Sequence, residues 1–482
     1  MPEDNLAFDL IDKERERKKK MNNQKKYPLW IAFNLLLILS LAAGCSPAGN
    51  RPQPDERQTL KILYDQDEQS FYDHYGALYS ALNPNLDIKV ITTLWIKRLD
   101  NEDKENTLKQ LIDEKQPDVL ILSEKQYEQF SREGRLAELA GMTGQEQFHT
   151  ESFLPGMLEY LTDKGGGTLY GLAPYFNTNV LFYNKELFKE YGIDPPTDHM
   201  SWEDVLALAA RFPSGGSLDK RVYGLRGGGK MSLYKLGQQI GDTLGLRILN
   251  AAGDQITINT PAWQQTFRTA LQAIQSDTLY YYKVHGKEQP LKKFEDYLLD
   301  EPFTGGRMAM TIDNADAIDI FNPAMKALKG KVRFDWDVVT IPVDPARPDY
   351  TTAISFPKIF AINAKSGNAK AAWKFIQYFH SEEFARASSK INFAKELSTR
   401  SGYFKDDAGR YLDAFYALKP AASGEPAYDK LALDFSRKFD KLAEEMLGPV
   451  LTDGTLLENA LASLQQKGQQ LLMTAEHSIV TK

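Results

Sequence analysis

From Thr59 onward the chain alternates short apolar runs with helical stretches, and this alternation restricts the fold more than any other feature. TLKILY (Thr59–Tyr64), LDIKVITT (Leu86–Thr93) and PDVLILS (Pro117–Ser123) are bounded by polar or turn residues. Apolar, β-branched runs of this length read as strands. Between the first two, Phe71, Tyr75, Leu78 and Leu82 recur at helical spacing until Pro84 ends the pattern, and Tyr127 and Phe130 mark a helix after Ser123. Such alternation predicts an α/β layer with a mostly parallel sheet, whose ligands bind at the carboxyl ends of the strands. The loops after Tyr64 and after Ser123 are therefore expected at a cleft.

A second lobe is expected beyond Tyr170–Tyr183, a stretch rich in β formers. Ser201 and Asp204 form a capping pair ahead of a helix through Phe212. Glycine-rich loops are expected at 214–217 and 227–229, helices near 231–250 and 261–280, strands at 307–312, 335–342 and 357–363, and a helix at 370–379. Helical patterns dominate 428–476. With 482 residues, 42% of them hydrophobic, the chain can build two large units around substantial cores. The balance of 58 basic against 65 acidic residues gives a net charge of −7, which provides no field for nucleic acid.

The chain has one cysteine, Cys45, so no intramolecular disulfide or cysteine-rich metal site can form. Lys25 and Lys26 precede an apolar run, Leu29–Ala43, that ends in Gly44 and Cys45. This is the layout of a signal peptide, and the run is short for a membrane span. Leu41–Cys45 resembles the bacterial lipobox, in which the cysteine sulfur carries a diacylglycerol and becomes the new N-terminus. The acidic and basic preface before Met21 suggests Met21 as the true start. Residues 1–44 are thus expected to be a signal peptide and 45–58, polar and proline-bearing, a flexible tether.

Thr168–Phe212, with TLYGLAPYFNTNVLFYNKELF at its centre, resembles the most characteristic segment of the extracellular solute-binding proteins of ABC importers, the carbohydrate-binding branch in particular. PDVLILSEKQYEQF (from Pro117), FTGGRMAMTIDN (Phe303–Asn314), DWDVVTIP (Asp335–Pro342) and Ile354–Phe384 fall in the same order, and LSTR (Leu397–Arg400) resembles the family's L-P-x-R turn with Ser398 in place of proline. The resemblance covers roughly residues 59–400. It implies a two-lobed periplasmic-binding-protein-like fold that closes over a ligand, with chain crossings near 177–181, 354–359 and 394–400. The lobes would comprise 59–177 plus 358–395 and 178–357 plus 396–482. It also implies a lipid-anchored monomer on the outer face of the bacterial cytoplasmic membrane, delivering a carbohydrate or other polar solute to an ABC permease. No cofactor or metal is expected. An exported carbohydrate-active enzyme and a non-transporting sensor remain the competing classes.

Sugar recognition needs aromatic faces for C–H surfaces and planar polar groups for hydroxyls. Asp67 and Glu68 sit in the loop after the first strand, Tyr72 lies off the apolar stripe of the next helix, and Glu124 comes directly after a buried strand. The resemblance turns Tyr175 and Asn177 toward the cleft in the first crossing, Asp313 and Asn314 at a strand end, and Phe356 in the second crossing, with Arg226 a further candidate. Structural roles compete at each: a solvated acidic loop for Asp67 and Glu68, a helix-start dipole partner for Glu124, an Asx turn for Asp313–Asn314. Phe71, Tyr75, Trp336 and Trp373 are expected in the core.

Other motifs fail on chemistry. GLRGGGKM (Gly224–Met231) nearly matches a phosphate-binding loop, but Met231 replaces the hydroxyl that binds magnesium. Asp65-Gln66-Asp67 lacks the later glycine and glutamate of a calcium loop. The six histidines have no metal-binding spacing, and no G-x-S-x-G elbow occurs.

Overall fold

The computed structural model describes residues 58–480 apart from 100, 140, 142–148, 214, 217–219, 229–230, 282–292, 392–395, 405–409, 411 and 422–432. The expected signal peptide, Cys45, His285 and Gly229 at the end of the glycine run therefore lie outside the described residues, as does the expected tether except for Gln58, which is the first residue of β1. Fourteen strands are described. They are β1 (Gln58–Tyr64), β2 (Leu86–Thr92), β3 (Val119–Leu122), β4 (Gly171–Leu172), β5 (Tyr175–Phe176), β6 (Asn179–Asn184) and β7 (Tyr223–Gly228), then β8 (Leu279–Tyr281), β9 (Met308–Asn314), β10 (Trp336–Thr340), β11 (Tyr350–Thr351), β12 (Ile359–Ile362), β13 (Leu397–Ser398) and β14 (Lys419–Pro420).

Two five-stranded sheets organise the body. The first has the order β2-β1-β3-β12-β4 and the second β10-β6-β9-β7-β8. β1 runs parallel to β2 and β3, as the strand–helix alternation requires, while the late strand β12 enters antiparallel between β3 and β4. In the second sheet β6 is antiparallel to both neighbours, and β7, β8 and β9 run parallel. All four residues of β3 and of β12 are buried, the mark of strands covered on both faces. In β6, Val180 and Phe182 join one hydrophobic cluster and Leu181 the other, the two-residue period of a strand between two layers.

One cluster fills the first lobe and continues under the second sheet through Phe182, Phe303, Phe321 and Trp336. The other lies on the opposite face of the second sheet. There the helices Leu233–Thr243 and Pro261–Gln275 pack with the long C-terminal pair Leu433–Thr452 and Leu457–Val480. Phe71, Tyr75, Trp336 and Trp373 are all buried.

Two local expectations change. The first helix carries a π turn at Tyr72–Gly76, and this extra residue rotates the helix beyond it. Tyr79 takes the buried position after Phe71 and Tyr75, while Leu78 and Leu82 are 39% and 52% exposed. Gly76 makes room for the turn: a Cβ there would stand 2.6 Å from the Tyr72 ring. The second change concerns Gly227 and Gly228, which belong to β7 instead of a loop. A Cβ on Gly227 would meet the Tyr281 ring at 2.6 Å, so glycine lets an aromatic from β8 lie across the strand.

Candidate functional site

The chain leaves the first sheet at the end of β4, passes through β5 and Asn177, and begins β6 at Asn179. β4 ends on the same rim as the carboxyl ends of β1 and β3, and β6, an interior strand between β10 and β9, begins opposite Asn314 at the end of β9, so the crossing joins two rows of strand ends, the first and the second edge. Asn177 and Ser355 exchange backbone hydrogen bonds at 2.9 and 3.0 Å, so a second crossing is strapped to the first. Ser398 of β13 pairs with Tyr175, and Thr399 N–H donates to the Pro174 carbonyl at 2.9 Å, adding the third segment. In the LSTR turn, buried Arg400 lies 4.4 Å over the Phe153 ring and donates to the carbonyls of His149 and His380. Its role is to hold the turn, a use that leaves the guanidinium inside the protein.

The first edge collects the carboxyl ends of β1, β2 and β3 with the start of antiparallel β12. Asp65, directly after β1, pairs with Lys358 ahead of β12 and with Lys97 at 3.1 Å. Burial pushes the Asp65 carboxyl upward, but the two lysines overcome this and hold it below the ordinary aspartate value. The Lys358 ammonium also lies 5.6 Å from the Tyr64 ring centre. Glu124 opens the helix Glu124–Arg132, whose Ser123–Gln126 capping box fixes the turn after β3. One Glu124 oxygen accepts from Tyr160 Oη at 2.7 Å and the other from Phe356 N–H in the second crossing.

The second edge carries the ends of β7, β8 and β9. Arg226 of β7 pairs with Glu301, whose other oxygen accepts from the backbone N–H groups of Phe303 and Thr304 at 2.8 and 2.9 Å. Asp313 accepts from Asn314 N–H at 2.9 Å. Burial raises the Asp313 carboxyl above the ordinary aspartate value; the Asn314 bond and Arg226 offset this only partly, and Glu301 and Asp316 reinforce it. Asn314 caps the short 3-10 turn Ala315–Ala317 by accepting from Asp316 N–H at 3.0 Å. Arg226 Nε and Tyr281 Oη are buried without a hydrogen-bond partner among the described residues.

Of the residues anticipated from the sequence, Glu124, Asn177, Arg226, Asp313 and Asn314 lie on these two edges or the crossing between them. Asn177 has an exposed side chain. Asp67 and Glu68 are exposed at the start of the first helix, where Asp67 accepts from Ser70 N–H at 2.9 Å as its N-cap. Tyr72 turns back to the sheet and donates to the Ile88 carbonyl at 3.2 Å. Tyr175 and Phe356 point into the first core, 4% and 0% exposed, and offer no face to a ligand in this arrangement. Their positions in the crossing were legible, but which way their side chains point depends on core packing. Asp65, Lys97, Lys358 and Glu301 were not anticipated as site residues. The available signal was that Asp65 directly follows the strand expected at 59–64 and that Lys358 is the second residue of the strand expected at 357–363.

Among the described residues no group of three His, Cys, Asp or Glu side chains is arranged to hold a metal ion, and no helix is long and apolar enough to cross a membrane.

Similar architecture occurs in solved proteins. The sugar-binding protein MalE of Xanthomonas citri is 17% identical, covers 88% of this chain and all of its own, and superimposes with a TM-score of 0.59. A family 1 extracellular solute-binding protein from Alicyclobacillus acidocaldarius is 14% identical over 86% of this chain and 98% of its own, with a TM-score of 0.59. An ABC substrate-binding protein of Listeria monocytogenes, solved with cycloalternan, is 18% identical over 86% and 98%, with a TM-score of 0.52. In sequence, the sn-glycerol-3-phosphate-binding periplasmic protein UgpB of Escherichia coli K12 is 34% identical over 70 residues, 14% of this chain, which spans only 16% of that protein's length. Residues 65–385, two thirds of the chain and every strand from β2 to β12, match the bacterial extracellular solute-binding proteins, and the chain belongs to that family.

Proposed function

We infer that this protein captures a carbohydrate outside the cell and passes it to an ABC permease, performing no reaction on it. The observation that carries this reading is the pair of polar sheet edges joined by strapped crossings. Asp65, Lys358 and Glu124 stand on one edge and Arg226, Asp313 and Asn314 on the other, with the exposed Asn177 side chain between them. A polyhydroxylated ligand bridging the edges would satisfy groups on both, and it would favour the closed arrangement only by its differential affinity for that state. A structural relative solved in complex with cycloalternan supports a saccharide.

The UgpB match raises a phosphate ester as a second ligand. Lys97, Lys358 and Arg226 each already face a carboxylate, which favours a neutral ligand over an anionic one. The lobes are taken as 59–177 plus 358–395 and 178–357 plus 396–482. Residues 1–44 are taken as a signal peptide, with a diacylglycerol on Cys45 anchoring a monomer to the outer face of the cytoplasmic membrane. Metabolic labelling with palmitate, lost in C45A, tests the anchor.

Thermal unfolding against glucose, maltose, maltotriose, mannitol, N-acetylglucosamine and sn-glycerol-3-phosphate tests the ligand class. A bound ligand at 100 times its dissociation constant adds about 2.7 kcal/mol of stability. A shift with a sugar, and unchanged sugar after prolonged incubation, is expected. A shift with the phosphate ester alone would replace the ligand class, and conversion of the sugar would make the protein an enzyme.

A further inference from the structure

We propose that Trp95 is the stacking platform of the carbohydrate site, a proposal that rests on the protein being a carbohydrate binder. Trp95 lies in the 3-10 turn Leu94–Arg98, placed after β2 at the same edge as the ends of β1 and β3. It is 47% exposed, whereas Trp202, Trp263, Trp336 and Trp373, the other described tryptophans, are at most 5% exposed. An indole left half in water on a rigid element forgoes burial that the other four obtain.

The turn is held firmly. Thr93 N–H donates to the Tyr64 carbonyl at 2.8 Å, Thr92 Oγ1 donates to the Gln66 carbonyl at 2.6 Å, Ile96 is buried beneath, and Lys97 reaches Asp65. Asp65 in turn pairs with Lys358 at the foot of the second crossing. A rigid aromatic surface therefore stands beside a row of charged hydrogen-bonding groups. Sugar rings present that same combination of needs, C–H faces and hydroxyl edges.

Elimination points the same way. Tyr72 spends its hydroxyl on the Ile88 carbonyl, and Tyr175 and Phe356 are inside the core. Tyr72 is half-buried with its hydroxyl tied near the start of β2, away from the strand ends, so of these aromatics Trp95 is the one left half-exposed at this edge. Its neighbour Leu94, 38% exposed, extends the apolar strip. The ligand class that fits is a neutral saccharide with an exposed C–H face, and linear polyols such as mannitol, lacking a ring face, should bind more weakly.

The test pairs two readouts on the same purified protein. The same six compounds are titrated against wild type, W95F and W95A, with both the melting temperature and acrylamide quenching of tryptophan emission recorded. The difference between wild type and W95F isolates the emission of Trp95. The sugar that stabilises wild type is expected to shield Trp95 from acrylamide. W95A should bind it roughly tenfold more weakly and melt close to wild type without sugar, while W95F should keep most of the affinity and lose the shielding signal. If wild type and W95A bind that sugar equally and Trp95 stays open to quencher, the platform is wrong and the carbohydrate reading survives. If no sugar stabilises wild type, the carbohydrate reading falls and takes the platform with it. Should W95A fail to fold, shielding in wild type against W95F still decides.

Discussion

The two edges that meet at the crossings solve the same problem differently. On the first edge the named charges are committed to partners from distant parts of the chain. Asp65 pairs with Lys97 and Lys358, and Glu124 joins the Tyr160 hydroxyl to the Phe356 amide. On the second edge pairing is incomplete, since Arg226 has one ion pair but a buried Nε without a partner among the described residues, Tyr281 Oη likewise has none, and Asp313 sits where burial disfavours its charge. Buried polar atoms without partners are costly and uncommon in native proteins. The difference points to a division of labour: the charges of the first edge are already paired and tied to the crossings, so that edge offers the half-exposed Trp95 ring, while the second keeps polar atoms without protein partners among the described residues.

The largest expected effect is on the second edge, at the one carboxylate that organises it. Glu301→Ala removes the partner of Arg226 and the acceptor of the Phe303 and Thr304 N–H groups together, and should cost about 3 kcal/mol of stability in denaturant unfolding. A loss below about 1 kcal/mol would mean that the edge does not depend on this residue. Next comes Asp65→Asn, which should destabilise by roughly 1–2 kcal/mol at pH 7 by leaving Lys97 and Lys358 without their carboxylate.

Asp313→Asn should have the opposite sign and the smallest size, a gain of under about 1 kcal/mol at pH 7, because the side chain retains an acceptor for Asn314 N–H and sheds a disfavoured charge. The pH dependence separates the two. Asp65 has a depressed folded pKa, so its contribution exists above the unfolded value of 3.8 and is lost as pH falls through the folded value. Asp313 has a raised folded pKa, so its contribution exists below 3.8 and is lost as pH rises through the folded value. Relative to wild type, both variants should therefore show effects at pH 7 that shrink as the medium is acidified through the carboxylate range. Equal signs at pH 7 would abolish the contrast between the edges.

Much of this architecture was legible along the chain. Apolar runs such as VLIL in β3 and IFAI in β12 read as strands, which the structure buries on both faces, and Ser201 with Asp204 announced a helix that begins at Trp202 with that capping box in place. Local rules worked there because the deciding interactions are local. They failed at the first helix, where a π turn exchanged Leu78 for Tyr79 in the core, and at Gly227–Gly228, whose partner Tyr281 comes from a strand far along the chain. In both places a distant packing surface overrode the nearby pattern.

The site divides along the same line. By itself the sequence determined that strand ends at Asp65, Glu124 and Asp313 would carry carboxylates, since strand position and residue type are local properties. Only the tertiary structure decided that Asp65 would meet Lys358, that Glu124 would bind the crossing at Phe356, and that Tyr175 would face inward while Trp95 remained outside. Those outcomes depend on which segments the two sheets bring side by side, and the free energy of a charge or a ring is set by its surroundings in space.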